Sequence, residues 1–212
     1  ISKPTSRFFF VGEGCPLDKT NKKDIIADAA LKCYLNSSYS GTSMDDIVKA
    51  SGMSKGGIYW YFKSKDEIFL YIMEKKFEEW QQELTRRIDF SEPTRVILDK
   101  FIDFLAEIVV APILVIFHDF LISTKDKEIL KKARSCLDKY QHNDFMIKKI
   151  IKQGIATGEL KKAFDPETVA NIFIGSLEGL SLRLFAGCYD QETFKRTARV
   201  ALNVFFDGLA NK

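Results

Sequence analysis

The chain has 212 residues and a formal net charge of +3, with 46% hydrophobic and 29% charged residues. This balance is typical of a globular protein large enough for a small domain and a larger one, and the modest charge does not by itself indicate a nucleic-acid partner. Only 12 Gly and 5 Pro are present, which argues against a β-sandwich rich in tight turns and favours long helices.

The N-terminal nineteen residues have no helical period, so we predict that residues 1–19 form an extension or a leader outside the functional domains. The four cysteines show no C-x-x-C spacing, which favours a reduced intracellular protein without a metal site or cofactor; they are Cys15, Cys33, Cys136 and Cys188. The longest apolar run, 108–117, is interrupted by Pro112 and is too short to span a bilayer. We therefore expect no membrane partner.

The first four helices are predicted from apolar spacing and from capping residues. An apolar stripe predicts a first helix over residues 21–35. Thr42 and Ser43 are each followed three residues later by an aspartate, which is typical of a capping-box start for a short second helix. Ser54 is the expected cap of a third helix over residues 55–62, and Ser64 with Glu67 predicts the start of a long fourth helix.

The rest of the chain also follows a helical period. Pro93 opens a fifth helix and Pro112 separates it from a sixth, while one apolar stripe predicts a single long helix over residues 126–157. Asp165 caps a helix that reaches about residue 186, and Asp190 starts the last one. The predicted class is all-α with about nine helices: an N-terminal three-helix helix-turn-helix domain over residues 20–66 and a helical ligand-binding and dimerisation domain over residues 67–212.

Residues 41–65 carry the strongest functional signal. Two short helices on either side of a turn at Gly52 form a helix-turn-helix, whose second helix enters the major groove of DNA. Ile58 and Phe62 are four residues apart and share the core-facing side, so Gly56, Tyr59, Trp60 and Lys63 point away from the core. Exposed aromatic side chains need a partner, and phosphates and base edges suit them. The alternative is that Tyr59 and Trp60 pack on the second domain.

This stretch resembles the TetR family of bacterial regulators. The resemblance rests on Thr42-Ser43, on the run from Ile47 to Gly56 and on the run from Ile58 to Lys65. It implies a homodimer in the bacterial cytoplasm, a double-stranded DNA operator with two-fold symmetry, and a second domain that binds a small-molecule effector and releases DNA. Repression is the usual mode of this family.

The resemblance also implies roles for individual residues. Thr42 and Ser43 would contact phosphate, Lys55 and Gly56 would face base edges, and Tyr59, Trp60 and Lys65 would hold the DNA backbone. The full set of predicted DNA-binding residues is Thr42, Ser43, Lys55, Gly56, Gly57, Tyr59, Trp60, Lys63 and Lys65.

Two residues depart from the family pattern. Ser38 stands where the family usually has Gly, in a turn that tends to need a positive φ, so either Ser38 costs about 1 kcal/mol or the turn differs. Gly57 stands where Thr is common, and together with Gly56 it costs the third helix about 1 kcal/mol per glycine. We therefore predict that this helix is loosely ordered without DNA.

The middle helices carry aromatic residues that could line an apolar effector pocket or form a plain core. The candidate pocket residues are Phe77, Trp80, Phe101, Phe104, Phe117, His118, Phe120 and Tyr140. Among them, His118 is only a candidate, because a histidine inside an apolar run is more often a satisfied core residue than a ligand contact. The effector that such a pocket would accept is a small apolar or amphipathic molecule.

The last two helices are the predicted dimer surface, because two helices from each subunit would form a four-helix bundle. Small residues on one face of the first of these helices would allow a partner helix to approach closely, and an apolar stripe on the last helix would match that face. The residues are Ile172, Gly175, Ser176 and Gly179 on the first helix and Phe194, Ala198, Ala201 and Phe205 on the last. The alternative is that these stripes pack inside one subunit.

Other classes of protein fit less well. The chain has only two histidines and no nucleophile motif, so we predict no enzyme, although carboxylates in a helical domain can be catalytic. A purely structural module would not need the outward set on the third helix. The alternative function that stays open is a helical small-molecule-binding protein or an enzyme that has lost DNA binding.

Overall fold

The computed structural model describes residues 21–140 and 142–209, and the side chains of residues 21–137 and 146–209. Within these ranges the chain forms ten α-helices, which confirms the predicted all-α class. They are α1 Lys22–Ser37, α2 Met44–Ser51, α3 Lys55–Tyr61, α4 Lys65–Arg87, α5 Thr94–Val109, α6 Pro112–Ser123, α7 Lys127–Tyr140, α8 His142–Ala156, α9 Pro166–Phe185 and α10 Gln191–Leu209. The predicted extension 1–19, with Cys15, and the side chain of Tyr140 lie outside the described residues.

The helices begin where local capping chemistry predicts. The Ser43 hydroxyl accepts a hydrogen bond from the Asp46 backbone N–H at 3.2 Å, and Asp46 accepts one from the Ser43 N–H at 2.9 Å. Both halves of a capping box are therefore present, with Ser43 rather than Thr42 as the cap. Asp165 caps α9 by accepting from the Thr168 N–H at 2.8 Å, with Pro166 in the first turn.

The contacts divide the chain into two compact units, with the boundary between Phe69 and Leu70 inside α4. In the first unit α1 packs on α2, and α2 contacts α3. Its interior includes a triangle of rings from Tyr34, Tyr39 and Phe69, with centroids 5.3–5.6 Å apart. Burial of large apolar side chains, each contributing about 1.5–3 kcal/mol, holds this small unit together.

The second unit is built around α5, α8, α9 and α10. Helix α8 packs on α9, and α10 packs on both α5 and α9. These helices share one apolar core, whose fully buried members include Leu98, Ile102, Ile147, Ile150, Ile151, Ala170, Phe194 and Ala198. Gly154 is required within this core, because a Cβ there would lie 2.5 Å from the Thr94 hydroxyl oxygen.

Within the range predicted as a single helix over residues 126–157, the structure describes two helices, α7 and α8. Residue 141 alone separates them, and it lies outside the described residues. The predicted continuity of this helix therefore stays a prediction.

Within residues 21–140 and 142–209, no single helix is long and apolar enough to cross a bilayer. The bent pair of α5 and α6 together has the length and composition of a membrane span.

Candidate nucleic-acid interface

The α2–α3 segment has the geometry of a helix-turn-helix. Gly52 ends α2 with φ +67°, a left-handed conformation that glycine adopts without strain, and the turn reverses the chain there. The Ser54 hydroxyl accepts a hydrogen bond from the Gly57 N–H at 3.1 Å and so caps α3. Ile47 of α2 and Ile58 of α3 are both fully buried, which fixes the two helices on the core of the first unit.

The outer side of α3 presents aromatic and basic groups. Trp60 is 81% exposed and Tyr59 is 38% exposed, whereas Ile58 is 0% and Phe62 is 4% exposed. An indole exposed to this degree on a short helix leaves a large apolar surface in water, and it therefore marks a contact surface. Gly56 and Lys63 are exposed as well, and the Lys63 ammonium lies 3.4 Å from the Tyr59 carbonyl oxygen.

One charged pair lies at the start of α3, and a capping carboxylate lies at the start of α2. The Lys55 Nζ lies 2.9 Å from Asp45 Oδ1, and this carboxylate raises the pKa of the lysine. Hydrogen bonds from the Ser43 hydroxyl and N–H lower the pKa of Asp46. Lys55 is exposed, so a phosphate or a base edge can compete for its ammonium against a surface pair that contributes little.

Thr42 and Lys65, both predicted to contact phosphate, are engaged inside the first unit. Thr42 is 2% exposed, and its hydroxyl donates to the Ser38 carbonyl oxygen at 2.7 Å. The Lys65 ammonium donates to the carbonyl oxygens of Tyr39 and Thr42 at 3.0 and 2.9 Å, and it lies 4.4 Å from the centre of the Tyr39 ring. In the single chain, the donors of both side chains are engaged by backbone carbonyls around the loop between α1 and α2, so their predicted phosphate contacts stay predictions.

Two further links to the start of α4, one from α1 and one from that loop, were missed by sequence reasoning. The Tyr34 hydroxyl donates to the Lys65 carbonyl oxygen at 3.0 Å, and burial raises the pKa of Tyr34. The Tyr39 hydroxyl donates to Asp66 Oδ1. Each link joins residues more than twenty positions apart, so apolar spacing carried no signal for either one.

The two glycines of α3 differ in their surroundings. A Cβ on Gly56 would have no neighbour within 4 Å, so this face of α3 is open. A Cβ on Gly57 would lie 3.1 Å from the Ser54 hydroxyl oxygen, which is tighter than ordinary contact.

The turn at Ser38 has the positive φ that the family resemblance implies, with φ +62° and ψ 173°.

The candidate pocket residues fall into two groups. Phe77 contacts the rings of Trp80 and Phe117, with centroids 5.6 and 6.4 Å apart, and Phe117 stacks on Phe120 at 6.0 Å. Phe101 and Phe104 instead belong to the apolar core of the second unit. His118 is exposed and lies outside both groups, with its ring 5.6 Å from that of Phe185.

The candidate dimer residues of α9 and α10 differ in their exposure. On α9 the predicted face is exposed: Ile172 is 59% exposed, and Cβ atoms on Gly175 and Gly179 would meet nothing within 4 Å. Ser176 is exposed too, with its hydroxyl bonded to the Ile172 carbonyl oxygen at 2.8 Å.

On α10 the predicted stripe needs correction. Phe194 and Ala198 are completely buried in the core of their own unit, and Phe205 packs on Phe173 with ring centroids 5.3 Å apart. Ala201 is half-buried. The apolar side chains that α10 exposes are Val200 and Val204, at 56% and 68%.

A cleft with a volume of about 360 Å³ lies between α5 and α10, and sequence reasoning did not predict it. Arg199, in its lining, donates to Asp99 at 2.9 Å and to Asp103 at 2.7 Å, and Arg95 donates to Asn203. These hydrogen bonds tie α5 to α10.

The second helix of the motif, α3, is capped, is anchored in the core and exposes an indole. These features define a helix-turn-helix DNA-binding protein. Comparison with known families agrees with this class. Residues 26–72 match the model of bacterial regulatory proteins of the tetR family, and residues 95–195 match the tetracyclin repressor-like C-terminal domain. The chain therefore belongs to the TetR family and is a transcriptional regulator.

Individual relatives support the same assignment. The chain is 24% identical to the fatty acid metabolism regulator protein of Bacillus subtilis, over 72% of this chain and 78% of that protein. It is 36% identical to the regulator QacR of Staphylococcus aureus, but that match spans only 30% of this chain and 34% of QacR. Both relatives are named as regulators.

Solved structures share the fold. The fatty acid degradation regulator FadR from Bacillus halodurans superposes with a TM-score of 0.67 at 18% identity, covering 88% of this chain and 96% of that one. The flavonoid-responsive regulator FrrA superposes with a TM-score of 0.66 at 25% identity, covering 90% and 98%.

Proposed function

We propose that this regulator is a homodimeric repressor that binds a palindromic double-stranded DNA operator and is released by a small apolar or amphipathic effector. In this proposal residues 20–66 are the DNA-binding domain, and residues 67–212 bind the effector and dimerise. The observation that carries it is the outer side of α3, where Trp60 and Tyr59 are exposed beside Lys63. A helix with this surface needs a partner that is flat, polar at its edges and negatively charged, and DNA has these properties.

The residues proposed to touch DNA surround α3. The exposed ammonium groups of Lys55 and Lys63, at the two ends of the helix, would neutralise phosphate or reach a guanine edge. Gly56 would let the base edges approach the helix backbone. Thr42 and the ammonium of Lys65 are left out because the loop occupies them. The proposed DNA-contacting set is Ser43, Lys55, Gly56, Gly57, Tyr59, Trp60 and Lys63.

The proposed dimer places the outer faces of α9 and α10 against the same faces of a second copy. Gly175 and Gly179 leave open space on α9, so a partner helix can approach closely. Val200 and Val204 add apolar area on α10 that is exposed in the single chain. Two recognition helices in such a dimer would read half-sites about 34–36 Å apart, which requires a palindromic operator.

The proposed effector site uses the ring cluster of Phe77, Trp80, Phe117 and Phe120. A cluster of aromatic side chains suits an apolar or amphipathic ligand. The names of two similar regulators refer to fatty acid metabolism and to flavonoids, so fatty acids and flavonoids are sensible first compounds to screen. Effector and operator would weaken each other's binding by the same factor, because binding free energies are reciprocal.

Fluorescence anisotropy of labelled DNA tests the proposal. The full chain is titrated onto the DNA upstream of its own gene and onto a scrambled duplex at two salt concentrations. Binding at least about a thousandfold tighter to the native fragment, weakening steeply with salt, is the expected result. Trp60→Ala should reduce this affinity, whereas Val96→Ala, which changes an exposed residue of α5, should not.

Weak and equal binding to both fragments and to other promoter DNA would overturn the repressor proposal. The alternative, a helical small-molecule-binding protein or an enzyme without DNA binding, would then be favoured.

A further inference from the structure

The most exposed aliphatic side chains concentrate on three helices. Among the described residues, the large aliphatic side chains with more than half of their surface exposed are Val115 and Ile122 of α6, Ile172 and Leu182 of α9, and Val200 and Val204 of α10. The proposed dimer accounts for those on α9 and α10. It leaves α6 unexplained, although Ile122, at 70%, is the most exposed of the six.

Helix α6 is apolar on both of its sides. Its inner side buries Ile113, Ile116, Phe117 and Phe120. Its outer side carries an exposed stripe, defined here as Val115, His118 and Ile122, with the spacing of three and four residues that aligns side chains on a helix. A helix that is hydrophobic all round is normally covered on every side. The stripe therefore indicates a partner that is absent from the single chain.

The α6 stripe is continuous with the exposed face of α9. The rings of His118 and Phe185 lie 5.6 Å apart, so the two helices meet at this point. Phe185 is 39% exposed and follows Leu182 by three residues, which places the two side chains next to each other on α9. An apolar surface thus runs from α9 through Phe185 to the α6 stripe.

We propose that a second copy of this chain covers the α6 stripe, so that the subunit interface comprises α6 as well as α9 and α10. The proposal rests on the proposed homodimer and adds a third helix to it. A two-fold interface brings the same surface patch of each subunit together. The stripe suits such pairing because α6 contains no Lys, Arg or Glu, and its one carboxylate, Asp119, is half-buried and accepts a hydrogen bond from the Ser123 hydroxyl at 3.0 Å. A membrane-surface helix would instead carry Lys and Arg beside its apolar face.

Sedimentation of the full-length chain over a range of concentrations tests this inference. Ile122→Glu puts a charge into the buried stripe of both subunits, so the dimer dissociation constant should rise by about a hundredfold or more. Val204→Glu changes the α10 face and should also dissociate the dimer. Val96→Glu is the matched control, because Val96 is exposed on α5, outside the three helices, and this variant should sediment as the wild type does.

The possible outcomes separate the two proposals. If Val204→Glu dissociates the dimer and Ile122→Glu does not, the dimer stands and the role of α6 is overturned. A wild-type chain that is monomeric at every concentration overturns both. Loss of binding to phosphatidylcholine–phosphatidylglycerol vesicles in Ile122→Glu, with the dimer intact, would assign the stripe to lipid and overturn the inference.

A milder variant guards against misfolding. Val115→Thr keeps the shape of the side chain at a position that is 60% exposed, so the single chain should fold as the wild type does. A circular dichroism melt checks this. The dimer dissociation constant should still rise by about tenfold, because each subunit loses apolar contact, and an unchanged constant would count against the inference.

Discussion

The Nζ of Lys65 donates a hydrogen bond of 2.9 Å to the carbonyl oxygen of Thr42, and this bond fastens the first turn of α4 to the start of the α2 segment. A second bond from the same ammonium, of 3.0 Å, reaches the Tyr39 carbonyl oxygen. Carbonyl groups in this loop lie where no helix satisfies them, so a charged donor is worth more here than at the surface. Lys65 therefore holds the start of α4 against the loop between α1 and α2, inside the DNA-binding unit.

The first prediction follows from this inward ammonium. Lys65→Met keeps the length of the side chain but removes the donors, and the free energy of unfolding should fall by about 2 kcal/mol. Operator affinity should fall with it, while the slope of log affinity against log salt stays unchanged, because no phosphate contact is lost. Urea unfolding and anisotropy at several salt concentrations measure the two effects.

Lys63 provides the matched comparison. It is exposed just after the end of α3, and its ammonium lies 3.4 Å from the Tyr59 carbonyl oxygen. Lys63→Met should leave stability unchanged and reduce the salt slope by about 1, as the loss of one phosphate contact does. If Lys65→Met reduced the salt slope instead, Lys65 would be a phosphate contact after all.

The second prediction concerns Ser38, whose φ of +62° favours glycine. Ser38→Gly should raise the free energy of unfolding by about 0.5–1 kcal/mol, because relief of strain exceeds the loss of the hydrogen bond from the Gly41 N–H, which is 3.2 Å long. Ser38→Ala keeps the strain and loses the bond, so it should be about 1 kcal/mol less stable than wild type. Equal stabilities of the two variants would show that the turn is not strained.

Local chemistry made much of this fold predictable. The capping box of Ser43 and Asp46 and the start of α9 at Asp165 and Pro166 each depend on residues that are close in sequence. The positive φ at Ser38 was instead expected from the family resemblance. The outward side of α3 followed from two apolar anchors four residues apart. These features need no knowledge of what the other helices do.

Long-range packing made the remaining features unpredictable. The ammonium of Lys65 could have faced phosphate, and only its contact with a loop more than twenty residues away turned it inward. On α10, a strong apolar stripe was assigned to a partner, but Phe194 and Ala198 face the core of the same unit. Spacing identifies an apolar face, and it does not say which surface covers that face.

The third prediction uses the open space at Gly56. Gly56→Ala should raise the free energy of unfolding by about 1 kcal/mol, since alanine favours a helix. It should also lower operator affinity by about tenfold, because the new methyl group stands between α3 and the base edges. In Gly57→Ala, the Cβ would lie 3.1 Å from the cap of α3 at Ser54, so the gain in stability should be smaller. Full affinity in Gly56→Ala would mean that DNA does not approach this position closely.

The fourth prediction is that α3 opens more readily than its neighbours when no DNA is bound, because Gly56 and Gly57 both weaken it. Amide hydrogen exchange of the free protein should be faster at residues 58–61 than in α1, and Gly56→Ala should slow it. Protection at residues 58–61 as strong as in α1 would contradict the prediction.

The last prediction is a dependence of stability on pH through Glu83. Hydrogen bonds from Arg86 and Arg87 lower the pKa of Glu83 from 4.5 to about 2. A carboxylate with a lowered pKa stabilises the folded state above its unfolded pKa, and this contribution is lost as the pH falls toward its folded pKa. In Glu83→Gln no carboxylate titrates, so the variant should be less stable than wild type near neutral pH. The two free energies of unfolding, measured with urea by circular dichroism, should converge as the pH falls from 4.5 to about 2. Arg87→Gln removes a donor at 2.7 Å and should partly reproduce this behaviour, whereas parallel profiles for wild type and Glu83→Gln would show that the cluster does not stabilise the fold.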